Sequence, residues 1–91
     1  MTNVEIYTKG YCPYCKLAKA LLRRHGVDFI EHSLSENTDL FEAMVARADG
    51  RRTVPQIFVD GVGLGGADDI SLLDEQGLLK PLLEGLPRKA A

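Results

Sequence analysis

The two cysteines of the chain, Cys12 and Cys15, lie three positions apart between an apolar run at residues 4–7 and a run of helical periodicity at residues 17–22. This order predicts a strand, a tight loop and then a helix that begins at Cys12 or Pro13. Proline suits the first helical turn because its missing N–H removes no helical hydrogen bond. A thiol at a helix start lies beside unpaired N–H groups and the positive end of the helix dipole, which favour the thiolate.

The cysteine pair admits three interpretations. A zinc site needs two further ligands, and the two histidines, His25 and His32, are not spaced as in the usual finger pattern. A structural disulfide between such near neighbours closes a very small loop, and stabilisation in the entropy model grows with loop length. A redox-active dithiol, with Cys12 as nucleophile and Cys15 as its partner, fits a C-x-x-C between a strand and a helix.

Length and charge restrict the possible functions. The chain has 91 residues, so we expect one domain over residues 1–91. Its 11 basic and 13 acidic residues give a net charge of −2, so the sequence lacks the excess of positive charge that is typical of nucleic-acid-binding proteins. Apolar runs stay well short of the ~20 residues of a membrane span, and the first residues do not have the form of a signal peptide. We therefore expect a cytoplasmic protein, where a C-x-x-C is more often catalytic or metal-binding than structural.

Periodicity and turn residues predict the order of the remaining elements. The predicted segments are a strand at 3–8, a helix from 12 or 13 to 24, a strand at 27–32, a helix over 40–48 after the cap-rich stretch 35–39, strands at 56–59 and 62–64, a helix capped by Asp68, and a short helix around Pro81 that includes Leu86. His25 before Gly26 marks the end of the first helix, and we interpret it as a surface residue there. The tail at 88–91 is expected to be frayed.

The predicted connections determine the topology of the sheet. A strand–helix–strand unit makes the first two strands parallel, with a right-handed crossover. The Asp60-Gly61 turn makes the last two strands an antiparallel hairpin. The result is an α/β chain with a mixed four-stranded sheet and helices on both faces, which is the arrangement of the thioredoxin fold.

Four segments together resemble a known family. They are Tyr7-Thr8-Lys9, Cys12-Pro13-Tyr14-Cys15, Thr53-Val54-Pro55 and Gly65-Gly66-Ala67-Asp68-Asp69. In this order and spacing the chain resembles a dithiol glutaredoxin of the bacterial type over nearly its whole length, and the last three segments jointly form the glutathione site of that family. The chain departs from the family at Ala67, where several relatives carry a third cysteine. This departure does not affect the reaction of Cys12 and Cys15.

The resemblance implies that glutathione is the co-substrate and that the peptide bond before Pro55 is cis. Spacing alone would instead favour an ordinary trans proline at the start of a strand. A cis bond would turn the backbone N–H and C=O of Val54 towards the thiols, where they can pair with the cysteinyl unit of glutathione. The residues implied to bind glutathione are Lys9, Tyr14, Arg52, Thr53, Val54, Pro55, Gly66, Ala67, Asp68 and Asp69.

Glutathione carries two carboxylates and one ammonium group, and each has an expected partner. Lys9 would pair with the glycyl carboxylate, assisted by Arg52. The N–H groups of Asp68 and Asp69, at a helix N-terminus, would hold the γ-glutamyl carboxylate. The side chain of Asp69 would hold the ammonium group, and Tyr14 would flank the groove.

The implied reaction is thiol–disulfide exchange. Cys12 attacks a protein–glutathione mixed disulfide and a second glutathione releases it, whereas Cys15 is needed to resolve a bond to a client protein. We expect a monomer whose partners are glutathione and proteins that carry glutathione or a disulfide, with no resident metal.

Three alternatives stay open. A thioredoxin-like reductase driven by a flavoenzyme is disfavoured by Lys9 and by residues 65–69. A glutathione-ligated [2Fe–2S] carrier, in which two subunits each supply Cys12, is disfavoured because Pro13 stiffens the loop. A subunit that merely uses the fold has no support in the sequence.

Overall fold

The structure is a computed structural model that describes residues 3–85. Its elements in chain order are β1 (Val4–Thr8), α1 (Pro13–Arg24), β2 (Ile30–Ser33), α2 (Leu40–Arg47), β3 (Gln56–Val59), β4 (Val62–Gly65), α3 (Ala67–Glu75) and α4 (Leu79–Leu83). The predicted helical Leu86 and the predicted frayed tail at 88–91 lie outside the described residues. Within residues 3–85, the longest helices are too short and too polar to cross a membrane.

The four strands form one sheet in the order β2-β1-β3-β4. β1 pairs in parallel with β2, with Ile6 opposite Glu31, and antiparallel with β3, with Ile6 opposite Ile57. β3 and β4 form the hairpin that the Asp60-Gly61 turn predicts, and Asp60 and Gly61 both have positive φ. The predicted mixed sheet is confirmed, and the two strands at its centre are β1 and β3.

Two apolar clusters cover the opposite faces of the sheet. Alternate residues of the central strands point to opposite sides, so Ile6 and Ile57 face one cluster while Tyr7 and Phe58 face the other. The first cluster is completed by buried residues of α1, α3 and α4, namely Ala18, Leu21, Leu22, Ala67, Ile70, Leu79 and Leu83. The second is completed by α2 and its surroundings through Leu34, Met44 and Ala48. Helices therefore lie on both faces, as predicted.

Two local predictions at the end of α1 and the start of β2 are wrong. β2 begins at Ile30 rather than Val27, because the chain turns at Gly26, with φ 74°, and Val27 packs against the core instead of pairing with β1. His25 is not a surface residue: its side chain is only 17% exposed, and its Nε2 lies 2.7 Å from Oδ1 of Asp74 in α3. The contact with Asp74, which is distant in sequence, half-buries this imidazole.

A polar network occupies the face of the sheet beneath α2. The guanidinium of Arg47 donates to both carboxylate oxygens of Glu5, at 3.0 and 2.9 Å, and to the Tyr7 hydroxyl at 2.8 Å. His32 lies 3.0 Å from the same carboxylate, and Arg47 stacks 4.3 Å above the ring of Phe58. The hydrogen bonds from Arg47 lower the pKa of Glu5 to about 2, despite the opposing effect of burial.

This network predicts a pH dependence of stability. The pKa of Glu5 is lower in the folded chain than its ordinary value of 4.5, so its contribution is complete above that pH and is lost as the pH falls towards about 2. We expect Glu5→Gln to lower the free energy of unfolding at pH 7 by about 2 kcal/mol. Urea unfolding measures this loss, and the gap between variant and wild type should narrow between pH 4.5 and 2.

The matched control is Glu84→Gln, whose partner Lys80 lies 3.8 Å away on an exposed surface. It should change stability by less than about 0.5 kcal/mol. An equal loss of stability for both variants, at every pH, would show that the network around Arg47 contributes no more than a surface pair.

Candidate active site

Cys12 is the N-cap residue of α1. Its backbone is extended, with φ −146° and ψ 106°, and Pro13 takes the first helical position. The Cys12 Sγ accepts a hydrogen bond from the backbone N–H of Cys15 at 3.2 Å. The sulfur therefore fills the position that a serine or aspartate oxygen holds in an ordinary helix cap. The predicted strand–loop–helix around the cysteines is confirmed.

Cys15 lies in a different environment, three residues further on in the first turn of the helix. It is 2% exposed, whereas Cys12 is partly exposed, and both cysteines are free thiols. Burial raises the pKa of the Cys15 thiol to about 11, with a smaller contribution from its neighbour Cys12. One helix thus presents one accessible sulfur that accepts a backbone hydrogen bond and one buried sulfur whose ionisation is disfavoured.

The first cavity beside the cysteine motif gathers most of the predicted glutathione residues. It has a volume of about 330 Å³ and is formed by the helix α1, the loop before β3 and the start of α3. Its lining residues are Tyr14, Arg51, Thr53, Val54, Pro55, Gly66, Ala67, Asp68 and Asp69. The Val54–Pro55 peptide bond is cis, as the family resemblance implies.

The start of α3 is capped differently from the prediction. Gly66, not Asp68, is the N-cap residue, and Asp68 lies inside the helix. Asp69 reaches back, and its Oδ2 accepts from the Gly66 N–H at 2.8 Å, which lowers the pKa of this carboxyl. A Cβ at Gly65, where φ is +98°, would collide with the Asp69 carboxylate, so only glycine fits this turn.

The two consecutive arginines point to different places. Arg51 lines the first cavity, and its guanidinium donates to Asp69 Oδ2 at 3.1 Å. Arg52 does not line it; its guanidinium lies 3.6 Å from Glu42 and 4.9 Å from the ring centre of Phe41 in α2. The family resemblance named Arg52 among the glutathione residues, whereas the structure places its neighbour Arg51 at the first cavity. The Asp69 partner of Arg51 is 18 positions away, so no local signal could distinguish the two.

Lys9 lies in a second cavity, together with both thiols. This cavity measures about 370 Å³ and lies on the β2 side of β1. Its lining residues are Thr8, Lys9, Gly10, Cys12, Cys15, Lys16, Lys19, Glu31, Ser33, Ser35 and Glu36. The Gly10 N–H donates to the Ser35 hydroxyl at 2.6 Å, which ties the loop before Cys12 to the chain after β2. The sequence analysis did not predict this cavity, because its walls come from three separate segments.

Comparisons with known proteins agree with this geometry. The family model described as Glutaredoxin matches residues 4–64. The chain is 54% identical to glutaredoxin 3 of Escherichia coli over 84 residues, which cover 92% of this chain and 100% of that protein. It is 51% identical to a probable glutaredoxin of Synechocystis over 81 residues, covering 89% of this chain and 92% of the relative.

Solved structures give the same result. The buckwheat glutaredoxin–glutathione complex superposes with a TM-score of 0.83 at 29% identity, covering 91% of this chain and 77% of that one. The solution structure of glutaredoxin from Brucella melitensis superposes with a TM-score of 0.77 at 47% identity, covering 89% and 87%.

The mixed sheet and the dithiol at a helix N-terminus define a thiol–disulfide oxidoreductase of the thioredoxin fold. Within that class, the chain belongs to the glutaredoxin family. Glutaredoxins are glutathione-dependent enzymes, so the resemblance seen in the four sequence motifs is confirmed at the level of family and reaction.

The unequal environments of the two thiols predict unequal alkylation. At pH 7 we expect iodoacetamide to modify Cys12 fully while Cys15 stays unmodified, because the thiolate is the reactive form and Cys15 is both buried and hard to ionise. Peptide mass mapping after timed quenching measures both sites. Denaturation in urea is the control and should make both cysteines react. Faster labelling of Cys15 than of Cys12 in the folded protein would contradict the assignment of the accessible sulfur.

Proposed function

We propose that Cys12 is the nucleophile of this glutaredoxin and Cys15 its resolving thiol. The observation that carries this assignment is the position of Cys12 at the N-cap of α1, where its sulfur accepts the Cys15 N–H. Hydrogen bonding and the helix dipole both stabilise negative charge at that sulfur. Cys15 is buried in the first turn of the same helix, so a large substrate reaches Cys12 first.

Reduction of a protein–glutathione mixed disulfide then takes two exchanges. The Cys12 thiolate attacks the glutathione sulfur, the bond to the client sulfur breaks, and the client leaves as a thiolate that takes a proton from water. A second glutathione thiolate attacks the glutathione sulfur bound to Cys12, which releases oxidised glutathione and restores the Cys12 thiolate.

A protein disulfide requires both cysteines. Cys12 attacks one client sulfur and forms a mixed disulfide, and Cys15 then attacks Cys12 Sγ, which releases the reduced client and leaves a Cys12–Cys15 disulfide. Two glutathione molecules reduce that disulfide and become oxidised glutathione. The two electrons that the client gains therefore come ultimately from glutathione.

The first cavity is proposed to bind the γ-glutamyl and cysteinyl parts of glutathione. Its volume of about 330 Å³ lies at the lower end of the range of small-molecule sites. The backbone of Val54 pairs with the cysteinyl unit, and the first N–H groups of α3, which lack intrahelical acceptors, hold the γ-glutamyl carboxylate. The Asp69 carboxylate, ionised by its contact with the Gly66 N–H, holds the ammonium group. The likeness to a glutaredoxin solved with glutathione supports this placement.

Positive charge is proposed at both ends of the bound peptide. Arg51, which lines the first cavity 3.1 Å from Asp69, strengthens the site for the γ-glutamyl carboxylate, whereas the sequence analysis expected Arg52 to assist Lys9 at the glycyl carboxylate. Lys9 lines the second cavity with Cys12, so it is proposed for the glycyl carboxylate, which extends away from Asp69. Tyr14 forms the wall of the first cavity next to the cysteines.

The domain organisation, oligomeric state, location and substrates are also proposals. Residues 1–91 form one glutaredoxin domain that acts as a monomer in the cytoplasm on proteins that carry glutathione or a disulfide. The near-complete overlap with E. coli glutaredoxin 3 supports the proposal of a single glutaredoxin domain. A reduction assay that compares glutathione with thioredoxin reductase as electron donor tests whether the enzyme depends on glutathione. Only glutathione should sustain turnover.

Single cysteine variants separate the two roles. Cys15→Ser should keep deglutathionylation within about threefold of wild type, and it should lose protein-disulfide reduction roughly tenfold or more, because glutathione must replace the missing thiol. Cys12→Ser should lose both activities by about a hundredfold or more. Initial rates with a glutathionylated peptide and with a disulfide-bonded protein measure the two activities. Retention of deglutathionylation by Cys12→Ser, together with its loss in Cys15→Ser, would reverse the assignment.

The consecutive arginines provide a matched pair of variants for the glutathione site. Arg51→Met should raise the KM for glutathione about threefold to fivefold, the size expected of one half-exposed charge, with kcat little changed. Arg52→Met removes the same charge one position away and should leave KM unchanged, since its partners are Glu42 and Phe41.

Salt distinguishes a direct charge effect from a rearranged loop. The difference between Arg51→Met and wild type should shrink as salt is raised, because exposed charges are screened. If Arg52→Met raised KM as much as Arg51→Met, the assignment of Arg51 to the glutathione site would be wrong.

A further inference from the structure

A buried hydroxyl anchors an ion pair in the second cavity. Thr8, which is 2% exposed at the end of β1, donates its hydroxyl to Oε2 of Glu31 in β2 at 2.7 Å. The ammonium of Lys19 in α1 donates to the same oxygen at 3.0 Å, and its side chain is only 21% exposed. Three elements thus converge on one carboxylate oxygen, and the cavity that they line also contains the buried Cys15.

The network holds the Lys19 ammonium in a fixed place. The Thr8 hydroxyl, followed by Lys19, lowers the pKa of Glu31, so this carboxyl is ionised and accepts from both donors. A lysine at an ordinary surface samples many rotamers, whereas this one is tied to a carboxylate that a buried residue orients. The cation therefore stays next to the cavity in which Cys15 must react.

We propose that Lys19 is a positioning residue for the resolving step, held by Glu31 and Thr8 so that its charge stabilises the Cys15 thiolate. This inference rests on the proposed role of Cys15 as the resolving thiol. It adds a residue seven positions after Cys12, on the side of the motif opposite the first cavity.

The step itself involves three sulfur atoms and one proton. When a client is bound, Cys12 Sγ is bonded to the client sulfur. The Cys15 thiol loses its proton to water in the open cavity, and the thiolate attacks Cys12 Sγ. The bond from Cys12 to the client breaks, the client sulfur leaves with the electron pair and takes up a proton, and Cys12–Cys15 becomes the disulfide. Lys19 keeps its proton throughout.

Other charged groups line the cavity besides Lys19. The charged and titratable groups that line it are Lys9 from the loop before α1, Cys12, Lys16 and Lys19 from α1, Glu31 from β2 and Glu36 from the loop after β2. Burial is the largest effect against ionisation of Cys15, and Cys12 also opposes it. A hydrogen bond from the Lys9 backbone and the charge of Lys19 favour ionisation. In the mixed disulfide Cys12 carries no charge, so its opposing effect disappears and the favourable effects remain.

Glu31 is unsuited to act as the base. Its Oε2 already accepts from Thr8 and Lys19, and both contacts lower the pKa of this carboxyl and weaken it as a proton acceptor. The chemistry of the cavity therefore favours charge stabilisation over proton abstraction, and the cation is the functional member of the pair.

Variants of Lys19 test the proposal on the intact enzyme. A client is first trapped on Cys12 as a mixed disulfide by rapid mixing, and its release is followed in the absence of glutathione from pH 5.5 to 9. Lys19→Met should slow release at pH 7 about threefold to fivefold and displace the rate–pH profile to higher pH by about half a unit. Lys19→Arg keeps the charge and should restore most of the rate. Deglutathionylation, which needs only Cys12, should change less than twofold.

The matched control is Lys80→Met, which removes a lysine of another ion pair, in α4, and should leave both activities unchanged. A profile for Lys19→Met that coincides with wild type, or an equal loss of release and deglutathionylation, would overturn the proposal. Cys15→Ser separates this outcome from failure of the proposed function. If Cys15→Ser releases the client as fast as wild type, Cys15 is not the resolving thiol. If it releases slowly while Lys19→Met is normal, only the role of Lys19 is wrong.

Discussion

The burial of β1 and β3 on both faces is the constraint on which the rest of the molecule depends. Each strand sends alternate side chains into opposite clusters, so α1 must lie on one face and α2 on the other. β1 ends at Thr8, and a four-residue connection leads directly to the start of α1. The packing of α1 through Ala18 and Leu22 therefore fixes where its N-terminus, and with it Cys12, sits relative to the sheet.

One helix produces two different thiols from the same residue type. At the N-cap, a sulfur meets backbone N–H groups that no helical carbonyl can satisfy. In the first turn a side chain can be buried, as Cys15 is. The raised pKa of Cys15 thus follows from its burial in the helix, and Pro13 helps to set where the helix begins.

Features that depend on local sequence could be predicted, and features that depend on distant partners could not. The helix start at Cys12, the hairpin at Asp60-Gly61 and the two-sided sheet follow from spacing, turn residues and periodicity. The cis bond before Pro55 could be expected only from the resemblance, because spacing alone favours trans. The contact of His25 with Asp74 joins positions 49 residues apart, and nothing near His25 indicates it.

The prediction of the N-cap residue of α3 was wrong for a different reason. Asp68 is a good capping residue by type, but Gly66 permits a turn in which Asp69 reaches back to the Gly66 N–H. Type preferences describe which residue can cap a helix, not which of several adjacent candidates does so. The position of Arg51 at the first cavity is of the same kind, since only the folded position of Asp69 brings it there.

The two cavities on either side of the end of β1 differ in how their charge is arranged. In the first, the carboxylate of Asp69 lies beside Arg51 and the N-terminus of α3, a pattern that suits a ligand carrying ammonium and carboxylate together. In the second, the carboxylate of Glu31 is already occupied by Thr8 and Lys19, and the cavity contains three lysines against two glutamates. The first arrangement offers partners to a zwitterion, whereas the second retains a positive charge next to sulfur. The proposed reaction needs both functions, because it binds the peptide that supplies electrons and also requires a buried thiol to react when a client is attached.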